Sequence, residues 1–495
     1  MGLKGRTVVR KKYLGFACTL FVLGVSTQVK ACTTVLVGKD ATIDGTTIIA
    51  RNEDADTAWA KHFYVHQASE NNSTQYVSNA NGFILNLPQK ALRYTSTPDW
   101  EQKNGQNQFG EGGINSANVA MSATESGTTN ITAMKADPFV KDGISEESVL
   151  DVVLPYIYSA KEGIEYLGKI VETKGSAGCN GIIFSDKDSI WYMEIGSGHT
   201  WAAVRVPNNK YAVIANQMMI GNVNTADNDN YLTSKNLPVM VKKYKLNGYR
   251  DRSTINYAAA FGTNSQQDAS YNRPRVWDGQ RILTPSKKQS ITKTKFSMFL
   301  KPDDKVSLKK VEQVLASHFN NTKYDSNGKW KGGYRPINVP TDVESHILQI
   351  RNGVPNEVAG IQWLAMASPD TSVYIPFFTG ASDTPTQYQQ GTNIPDNKSA
   401  YWTYKMTRIL TDPYKNRLID KDVLPVQKKI NKQLVDNLAK ATTESKKISR
   451  ESLPEYLTQQ NRKNANIAQN AFDKLNKQLI IDSSKQSKIT INKDL

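Results

Sequence analysis

The feature that most constrains this chain is Cys32, which directly follows a segment with the three parts of an export signal. Residues 1–12 carry five basic residues and no acidic one, and Tyr13 to Val25 are almost all apolar or small. Val29-Lys30-Ala31 then supplies small or medium side chains where a signal peptidase reads. Cleavage after Ala31 would make Cys32 the first residue, with a thiol and a free α-amine. Because an α-amine has a reference pKa of about 8, it can act as the base for its own thiol.

The same segment allows two other interpretations. The apolar run spans 13 residues, fewer than the roughly 20 that a membrane-spanning helix needs, which disfavours a membrane anchor. A lipidated Cys32 is the second alternative, since Ala31 is small, although Lys30 stands where a small uncharged residue is expected. We predict a bacterial-type signal peptide over residues 1–31 and a protein that is secreted or associated with the cell surface.

The charge of the chain bears on its partners. Removing 31 residues, six of them basic and none acidic, from a 495-residue chain of net charge +16 leaves 464 residues with a charge of about +10. This length suffices for one large domain or two ordinary ones. A basic surface suits nucleic acid, but an exported protein rarely meets it, so we predict no nucleic-acid partner. An anionic cell-wall or membrane surface fits better, and a charge that only maintains solubility explains the composition equally well.

Cysteine and histidine usage argues against disulfide and metal scaffolds. Of the three cysteines, Cys18 leaves with the signal, so only Cys32 and Cys179 remain. Cys179 precedes an apolar strand and is expected to be a buried small residue rather than a second catalytic thiol. His62 and His66 lie four residues apart, but no third ligand is evident. We predict no metal site.

Hydrophobic periodicity predicts groups of hairpin strands with helices between them, and hence an α+β fold. The predicted strands are residues 32–37, 46–50, 119–124, 181–185, 190–195, 201–206, 211–215, 361–367 and 373–377. A spacing of three to four predicts a helix over 145–174. From about residue 384 the chain is polar and then helical. We predict a main domain over 32–383 and a C-terminal helical extension over 384–495, packed on its own domain or forming a homo-oligomer contact.

A charged cluster follows the second predicted strand. Arg51-Asn52-Glu53-Asp54 places an arginine 19 and an aspartate 22 residues after Cys32. A hairpin of this length brings its far end back beside its start. Arg51 there can stabilise a thiolate and lower its pKa, and Asp54 can orient the new α-amine by a charge-assisted hydrogen bond. A solvated charge cluster is the alternative.

Short motifs in order along residues 31–440 carry a resemblance to a known family. The start Cys32-Thr-Thr, followed by Arg-Asn-x-Asp, resembles the cysteine N-terminal nucleophile hydrolases, which include conjugated bile acid hydrolase and penicillin V acylase. The whole set resembles the C69 dipeptidase family more closely. Its motifs are Ala31-Cys-Thr-Thr-Val-Leu-Val-Gly-Lys, Ile49-Ala-Arg-Asn-Glu-Asp, Met121-Ser-Ala-Thr-Glu-Ser, Tyr271-Asn-Arg-Pro-Arg-Val-Trp, Trp363-Leu-Ala-Met-Ala-Ser-Pro and Ser372-Val-Tyr-Ile-Pro.

The resemblance implies a four-layer αββα sandwich, a catalytic domain over residues 32–383, and no cofactor. It also implies site residues, position by position. Cys32 matches the nucleophile, Arg51 and Asp54 the pair beside it, Asn216 the asparagine whose amide donates to the oxyanion, and Arg275, rather than Arg273, the later arginine.

Two residues are candidates for substrate binding, Glu125 and Asn52. The acylase relatives have an asparagine as a second oxyanion donor where this chain has Glu125, and an ionised carboxylate cannot donate a hydrogen bond. We therefore expect Glu125 to bind the ammonium group of the substrate.

The implied activity is that of a secreted cysteine dipeptidase, which hydrolyses small peptides with a free N-terminus by acyl transfer to Cys32. Two other functions stay open. One is a linear-amide hydrolase, either an acylase or a cell-wall peptide amidase. The other is a lipid-anchored binding protein, in which diacylglycerol on the Cys32 sulfur would abolish catalysis.

Overall fold

The computed structural model describes residues 32–55, 59–70, 75–101, 108–125, 127–251, 253–263, 265–327 and 332–486. The predicted signal peptide over 1–31 lies outside these ranges, and so does the side chain of Glu125, whose backbone is described. Nothing in the structure therefore tests the predicted cleavage point, and the domain boundary at 383/384 stays a prediction as well.

Within these ranges, many strands are rich in β-branched and aromatic residues, which favour extended backbone. The strands are β1 (Thr33–Val37), β2 (Thr47–Asp54), β3 (Tyr64–His66), β4 (Ser69–Glu70), β5 (Gln75–Val77), β6 (Ile84–Asn86), β7 (Lys90–Ala91), β8 (Tyr94–Ser96), β9 (Gly112–Ile114), β10 (Ala120–Glu125), β11 (Asn180–Ser185), β12 (Ile190–Ile195), β13 (Trp201–Arg205), β14 (Tyr211–Ile214), β15 (Asn222–Asn224), β16 (Tyr231–Thr233), β17 (Thr254–Asn256), β18 (Phe299–Leu300), β19 (Asp342–Ile350), β20 (Gly360–Met366) and β21 (Ile375–Phe378).

Helices separate the strand groups and close the chain. The helices are α1 (Ile131–Ala136), α2 (Glu146–Val153), α3 (Ala160–Lys174), α4 (Leu237–Lys243), α5 (Tyr257–Phe261), α6 (Gln266–Ser270), α7 (Arg273–Leu283), α8 (Leu308–Leu315), α9 (Ala400–Thr411), α10 (Lys415–Leu418), α11 (Leu424–Ser445) and α12 (Leu453–Gln486). No helix in the described part of the chain is both long and apolar enough to cross a membrane.

Two antiparallel sheets form the centre of the molecule, so the predicted α+β class is confirmed. One sheet has seven strands in the order β18-β14-β1-β2-β19-β20-β21, and the other has six in the order β16-β13-β12-β11-β10-β9. The sheets face each other, because apolar side chains from both meet in one buried cluster. Leu36, Ile49 and Leu348 come from the first sheet, and Ile183 and Tyr192 from the second.

Helices cover the outer face of each sheet. On the six-stranded sheet, Ile164 and Leu167 of α3 pack with Phe184 of β11. On the seven-stranded sheet, apolar residues of α8, α11 and α12 join those of β1 and β14 in one cluster. In another cluster, α11 and α12 pack with β21. The hydrophobic effect thus holds both the helices and the facing sheets together.

The predicted helix over residues 145–174 is wrong in one respect, because it is two helices. α2 ends at Val153, and a 3₁₀ turn over Leu154–Tyr156 contains Pro155. Proline lacks the N–H that a continuing helix needs. α3 then begins after Ser159, whose hydroxyl caps it by accepting a bond from the Glu162 backbone N–H at 3.2 Å.

Candidate active site

Cys32 directly precedes β1, an inner strand of the seven-stranded sheet. Thr34 pairs with Ile214 of the antiparallel neighbour β14, so continuing this register by two residues puts Cys32 opposite Asn216. On its other side β1 pairs with β2, where Thr34 faces Arg51. The two strands that flank β1 therefore bring the predicted site residues to Cys32 from both sides. Cys32 is buried, with 4% of its surface exposed.

Arg51 contacts the Cys32 sulfur directly. Its Nη1 lies 3.0 Å from the Cys32 Sγ, and the whole arginine is buried. Its Nη2 donates to the Glu111 carboxylate, and Glu146 Oε1 lies 3.9 Å from Nη1. A buried guanidinium at this distance favours the thiolate form of the sulfur. The positive charge of Arg51 therefore lowers the affinity of the Cys32 sulfur for a proton.

A chain of buried charges continues from Arg51 into the space between the sheets. Lys61 Nζ donates to Glu53 at 3.0 Å and to Asp99 at 2.8 Å. Burial raises the pKa of Glu53 well above its usual range, and it raises that of Glu111 to about 7 although Arg51 opposes the shift. Carboxyl groups outnumber cations in this layer, so it retains protons that exposed carboxyls would lose.

Burial also determines the state of the thiol. It raises the pKa of Cys32 to about 12, and Arg51 opposes this shift. Glu146, Asp54 and Glu111 raise it further, because a carboxylate disfavours a second negative charge nearby. The thiol is therefore protonated at neutral pH and can attack only when a base removes its proton.

Asp54, at the end of β2, belongs to a separate pair. One of its oxygens accepts from Arg335, and it pairs across the sheet with Asp342 of β19. Burial, and then the neighbouring Asp54, raise the pKa of Asp342 well above its usual range. The protonated form of Asp342 is thus favoured. Arg335 also lies over the Tyr271 ring, 5.0 Å from its centre.

Arg275 holds the backbone of Cys32 and the side chain of Asn216 at once. All five of its N–H groups are occupied, as many as an arginine has. The acceptors are Cys32 O at 2.6 Å, Thr33 Oγ1 at 3.0 Å, Asn216 Oδ1 at 2.8 Å, Asn272 Oδ1 at 2.6 Å and Tyr271 O at 2.8 Å. Because Asn216 Oδ1 faces Arg275, its Nδ2 points away from Arg275. Arg275 is therefore a positioning residue.

The structure does not bring Asn52 to Cys32, and it describes only the backbone of Glu125. Asn52 lies on the opposite face of β2 from Arg51, where its Nδ2 donates to Leu315 O at 2.9 Å. Glu125 ends β10 on the facing sheet, with its backbone paired to Asn180. Arg273 lies at the start of α7 and donates to Thr294 O at 3.2 Å, so it is not part of the Cys32 contacts that Arg275 makes.

A cavity of about 390 Å³ opens beside Asn216. Its wall includes Tyr271 and Asn272, which both accept bonds from Arg275. Gly127, just beyond the end of β10, contributes the facing side; a Cβ there would lie 2.7 Å from Asn216 O. The size is that of a pocket for a small ligand. Among the described residues, no group of three or more His, Cys, Asp or Glu is placed to hold a metal ion.

Sequence reasoning missed two residues of the site, Glu111 and Arg335. Glu111 has a φ of 58°, which is uncommon for a residue with a side chain, and it stands in the run Gly110-Glu-Gly-Gly113. Such glycines permit close approach: a Cβ on Gly112 would lie 2.7 Å from His346 Nε2. A lone acid within a glycine run was the available signal. Arg335 is 281 residues from Asp54, and nothing local pointed to it.

Comparison with known proteins identifies the family of this chain. The model of the Peptidase family C69 matches residues 31–428. A probable dipeptidase of Latilactobacillus sakei is 38% identical over 472 residues, which are 94% of this chain and 98% of that protein. Probable dipeptidase B of Lactococcus lactis is 38% identical over 469 residues, 93% of this chain and 97% of its own. Dipeptidase A of Lactobacillus helveticus is 36% identical over 392 residues, 77% and 82% respectively. The chain belongs to peptidase family C69.

Proposed function

We propose that this protein is an exported cysteine dipeptidase whose nucleophile is Cys32, activated when residues 1–31 are removed. The observation that carries the proposal is the 3.0 Å contact between Arg51 Nη1 and Cys32 Sγ, at a strand start where Asn216 stands opposite. Membership of a peptidase family and relatives named dipeptidase support the activity. Two facing sheets with helices outside support the assignment to the four-layer N-terminal nucleophile hydrolase fold.

In the first step, the α-amine of Cys32 removes the thiol proton, directly or through one water. A base is needed because burial holds the pKa of the thiol at about 12. Arg51 then stabilises the thiolate, and Asp54 orients the α-ammonium group. An α-amine of ordinary pKa, about 8, is mostly protonated at neutral pH but exchanges its proton fast enough to act.

In the second step, Sγ attacks the scissile carbonyl carbon and the carbonyl oxygen becomes an oxyanion. Asn216 Nδ2 and a backbone N–H donate to it, and each such donor typically contributes ~3 kcal/mol. The α-ammonium group gives its proton to the leaving nitrogen, the C–N bond breaks, and a thioester remains. Water, deprotonated by the α-amine, attacks the thioester carbon, the C–S bond breaks, and the N-terminal amino acid of the substrate is released. The α-ammonium group then returns its proton to the sulfur and restores the thiol.

The free N-terminus of the substrate requires a carboxylate near the sulfur. Glu125 is our candidate from its place at the end of β10, next to the cavity residue Gly127. Glu146 is a second candidate, because it lies beside Arg51 with 17% of its side chain exposed. Glu125→Gln should weaken cleavage of free dipeptides more than of N-blocked ones. Equal losses for both would assign this role to another residue, and Glu146→Gln is then the variant to compare.

The test of the function compares two forms of the protein that differ only in their N-terminal residue. A form that begins at Cys32 is compared with a form that retains Ala31, on a panel of dipeptides, tripeptides and acyl amides. We expect the first to cleave dipeptides and the second to be inactive, because its nitrogen is an amide. The Cys32→Ala variant is the control for contaminating peptidases. Equal activity of both forms would refute the N-terminal mechanism, and preference for acyl amides would show an amidase.

We also propose export, with a folded protein that acts outside the cell or at its surface. The segment of residues 1–31 supports this, and the remaining charge of about +10 favours contact with an anionic cell wall. Small peptides are the proposed partners. N-terminal sequencing and mass spectrometry of secreted protein should find an unmodified Cys32 first. A diacylglycerol on its sulfur would instead indicate a lipid-anchored binding protein.

A further inference from the structure

The cavity beside Asn216 carries positive charge on its wall, and this charge has no part in the mechanism above. We propose that Arg273 and Lys295 bind the free carboxylate of the leaving amino acid there, so that the site reads the C-terminus of a dipeptide as well as its N-terminus. This inference rests on the proposed dipeptidase function. Because both charged ends of the substrate are bound, such a site selects dipeptides over longer peptides.

The position of the cavity relative to Cys32 supports this use. Asn216 lines the cavity and lies opposite Cys32 in the continued β1–β14 register. An acyl carbon held between Sγ and the Asn216 amide therefore has the cavity immediately on one side. A space of about 390 Å³ accommodates a single amino acid with its side chain. Met218 and Phe296 provide apolar surface for that side chain.

The charges divide on the two sides of Cys32. On the Arg51 side are carboxylates, with Glu146 Oε1 3.9 Å from Arg51 Nη1 and partly exposed. On the cavity side, Arg273 and Lys295 contribute cations. A substrate with an ammonium group at one end and a carboxylate at the other matches this order only when its acyl residue lies toward Glu146. The leaving residue then enters the cavity.

The two cations are held on the cavity wall by local structure. Arg273 is the first residue of α7, and its Nη1 donates to Thr294 O at 3.2 Å, which brings the segment with Lys295 against the helix. Asp268 also lines the cavity, but its Oδ1 accepts from Asn272 at 2.6 Å and its Oδ2 from the Ser265 N–H at 2.7 Å. Both of its oxygens are thus hydrogen-bonded, and the two cations outnumber this carboxylate, which leaves the cavity wall with a net positive charge.

The test compares the cleavage of alanyl-alanine with that of alanyl-alaninamide. The enzyme used is the whole chain from Cys32 onward. For the unsubstituted enzyme we expect kcat/KM to be at least tenfold higher for the free acid, mainly through KM. In Arg273→Gln and Lys295→Gln this ratio should fall severalfold, and in the double variant it should approach one. Lys301→Gln is the matched control, because Lys301 is an exposed lysine outside the cavity, and its ratio should equal that of the unsubstituted enzyme.

Each failure has its own signature. If the unsubstituted enzyme cleaves the acid and the amide equally well, the carboxylate site is refuted while the dipeptidase function stands. The same holds if the double variant keeps the original ratio, or loses both activities by the same factor while its melting temperature is unchanged. If the unsubstituted enzyme cleaves neither form nor any other dipeptide, the proposed function falls and this inference falls with it.

Discussion

Replacing Arg275 with lysine should separate positioning from chemistry, because the substitution keeps the charge and removes the geometry. Arg275 donates to five acceptors from α7, among them Cys32 O at 2.6 Å and Asn216 Oδ1 at 2.8 Å. The lysine ammonium has three donors that radiate from a single atom. It cannot reach acceptors on both sides of the planar guanidinium. At least two of the five acceptors would therefore lose their hydrogen bonds.

The size of the effect follows from that count. An unsatisfied buried acceptor costs about 1–3 kcal/mol, so two of them give a loss of ~2–6 kcal/mol in the free energy of unfolding. The catalytic loss has a separate source. Without the bond to Arg275, Asn216 can rotate its amide, and removal of one oxyanion donor lowers kcat by about 10²–10³. We expect kcat to fall at least a hundredfold, with a smaller change in KM.

The assay measures kcat and KM for a dipeptide, together with urea unfolding, at a temperature where near-ultraviolet circular dichroism shows the variant folded. Arg281→Lys is the matched control, since Arg281 lies on the same helix but contacts Asp278, at 2.6 Å, and is 29% exposed. It should retain kcat within about twofold and lose little stability. A folded Arg275→Lys enzyme with kcat within threefold of the unsubstituted enzyme would refute the positioning role.

Two further predictions concern the buried polar groups of β2 and its neighbours. Burial raises the pKa of Glu111 from 4.5 to about 7. Between pH 4.5 and 7 the folded protein therefore binds more protons than the unfolded chain does. The free energy of unfolding should accordingly fall as the pH rises through this range, by up to ~3 kcal/mol. Urea unfolding at pH 5 and pH 7 should show a smaller fall in Glu111→Gln than in the unsubstituted protein, because Glu53 and Asp342, whose pKa values are also raised, remain in both; an equal fall in the two proteins would contradict the assignment to Glu111. Asn52→Ala should lower stability by about 1–3 kcal/mol and leave kcat/KM within threefold, measured on the same dipeptide; a selective rise in KM would restore its predicted role in substrate binding.

Much of the fold follows from local patterns. β11 and β12 are apolar segments separated by Asp186-Lys-Asp-Ser189, and β13 and β14 are separated by Pro207-Asn-Asn-Lys210; both turn signals are strong. The long C-terminal helices also follow, since Pro425 lies in the first turn of α11 and apolar residues recur every three to four positions. In each case the information lies within about ten residues of the element.

β19 was not predicted, and its sequence shows why. Asp342-Val-Glu-Ser-His-Ile-Leu-Gln-Ile350 has acidic and polar residues in its first half, which argue against a buried strand. In the fold this strand lies between β2 and β20 and is buried throughout. Its polar side chains are tolerated because they find partners both within the strand and in distant segments. His346 bonds to Ser122 at 2.9 Å and to Glu344 at 2.8 Å. Such compensation cannot be read from one sequence window.

The site divides in the same way between local and long-range information. The contact of Arg51 with Cys32 could be predicted because a single hairpin returns Arg51 to the sulfur, whereas Asp54, on the same hairpin, contacts Arg335. Glu111 and Arg335 could not, since each reaches its partner only through the packing of the sheets and of the segment before β19. The resemblance to a family supplied Asn216 and Arg275. The structure adds what a motif cannot state, namely that Arg275 is fully committed to hydrogen bonds.

The alternation of side chains along β2 explains why Asn52 belongs to the scaffold although its neighbours belong to the site. Successive residues of a strand point to opposite faces, so Arg51 enters the layer between the sheets while Asn52 points toward α8. There the Asn52 amide donates to Leu315 O at 2.9 Å, and its oxygen accepts from Ser345 Oγ at 2.7 Å. Alanine at position 52 would remove one hydrogen bond from each of these two partners. The loss would weaken the attachment of α8 to the sheet and would not affect the bound peptide. The stability of Asn52→Ala and its KM should therefore respond differently, and that difference distinguishes a scaffold residue from a substrate ligand.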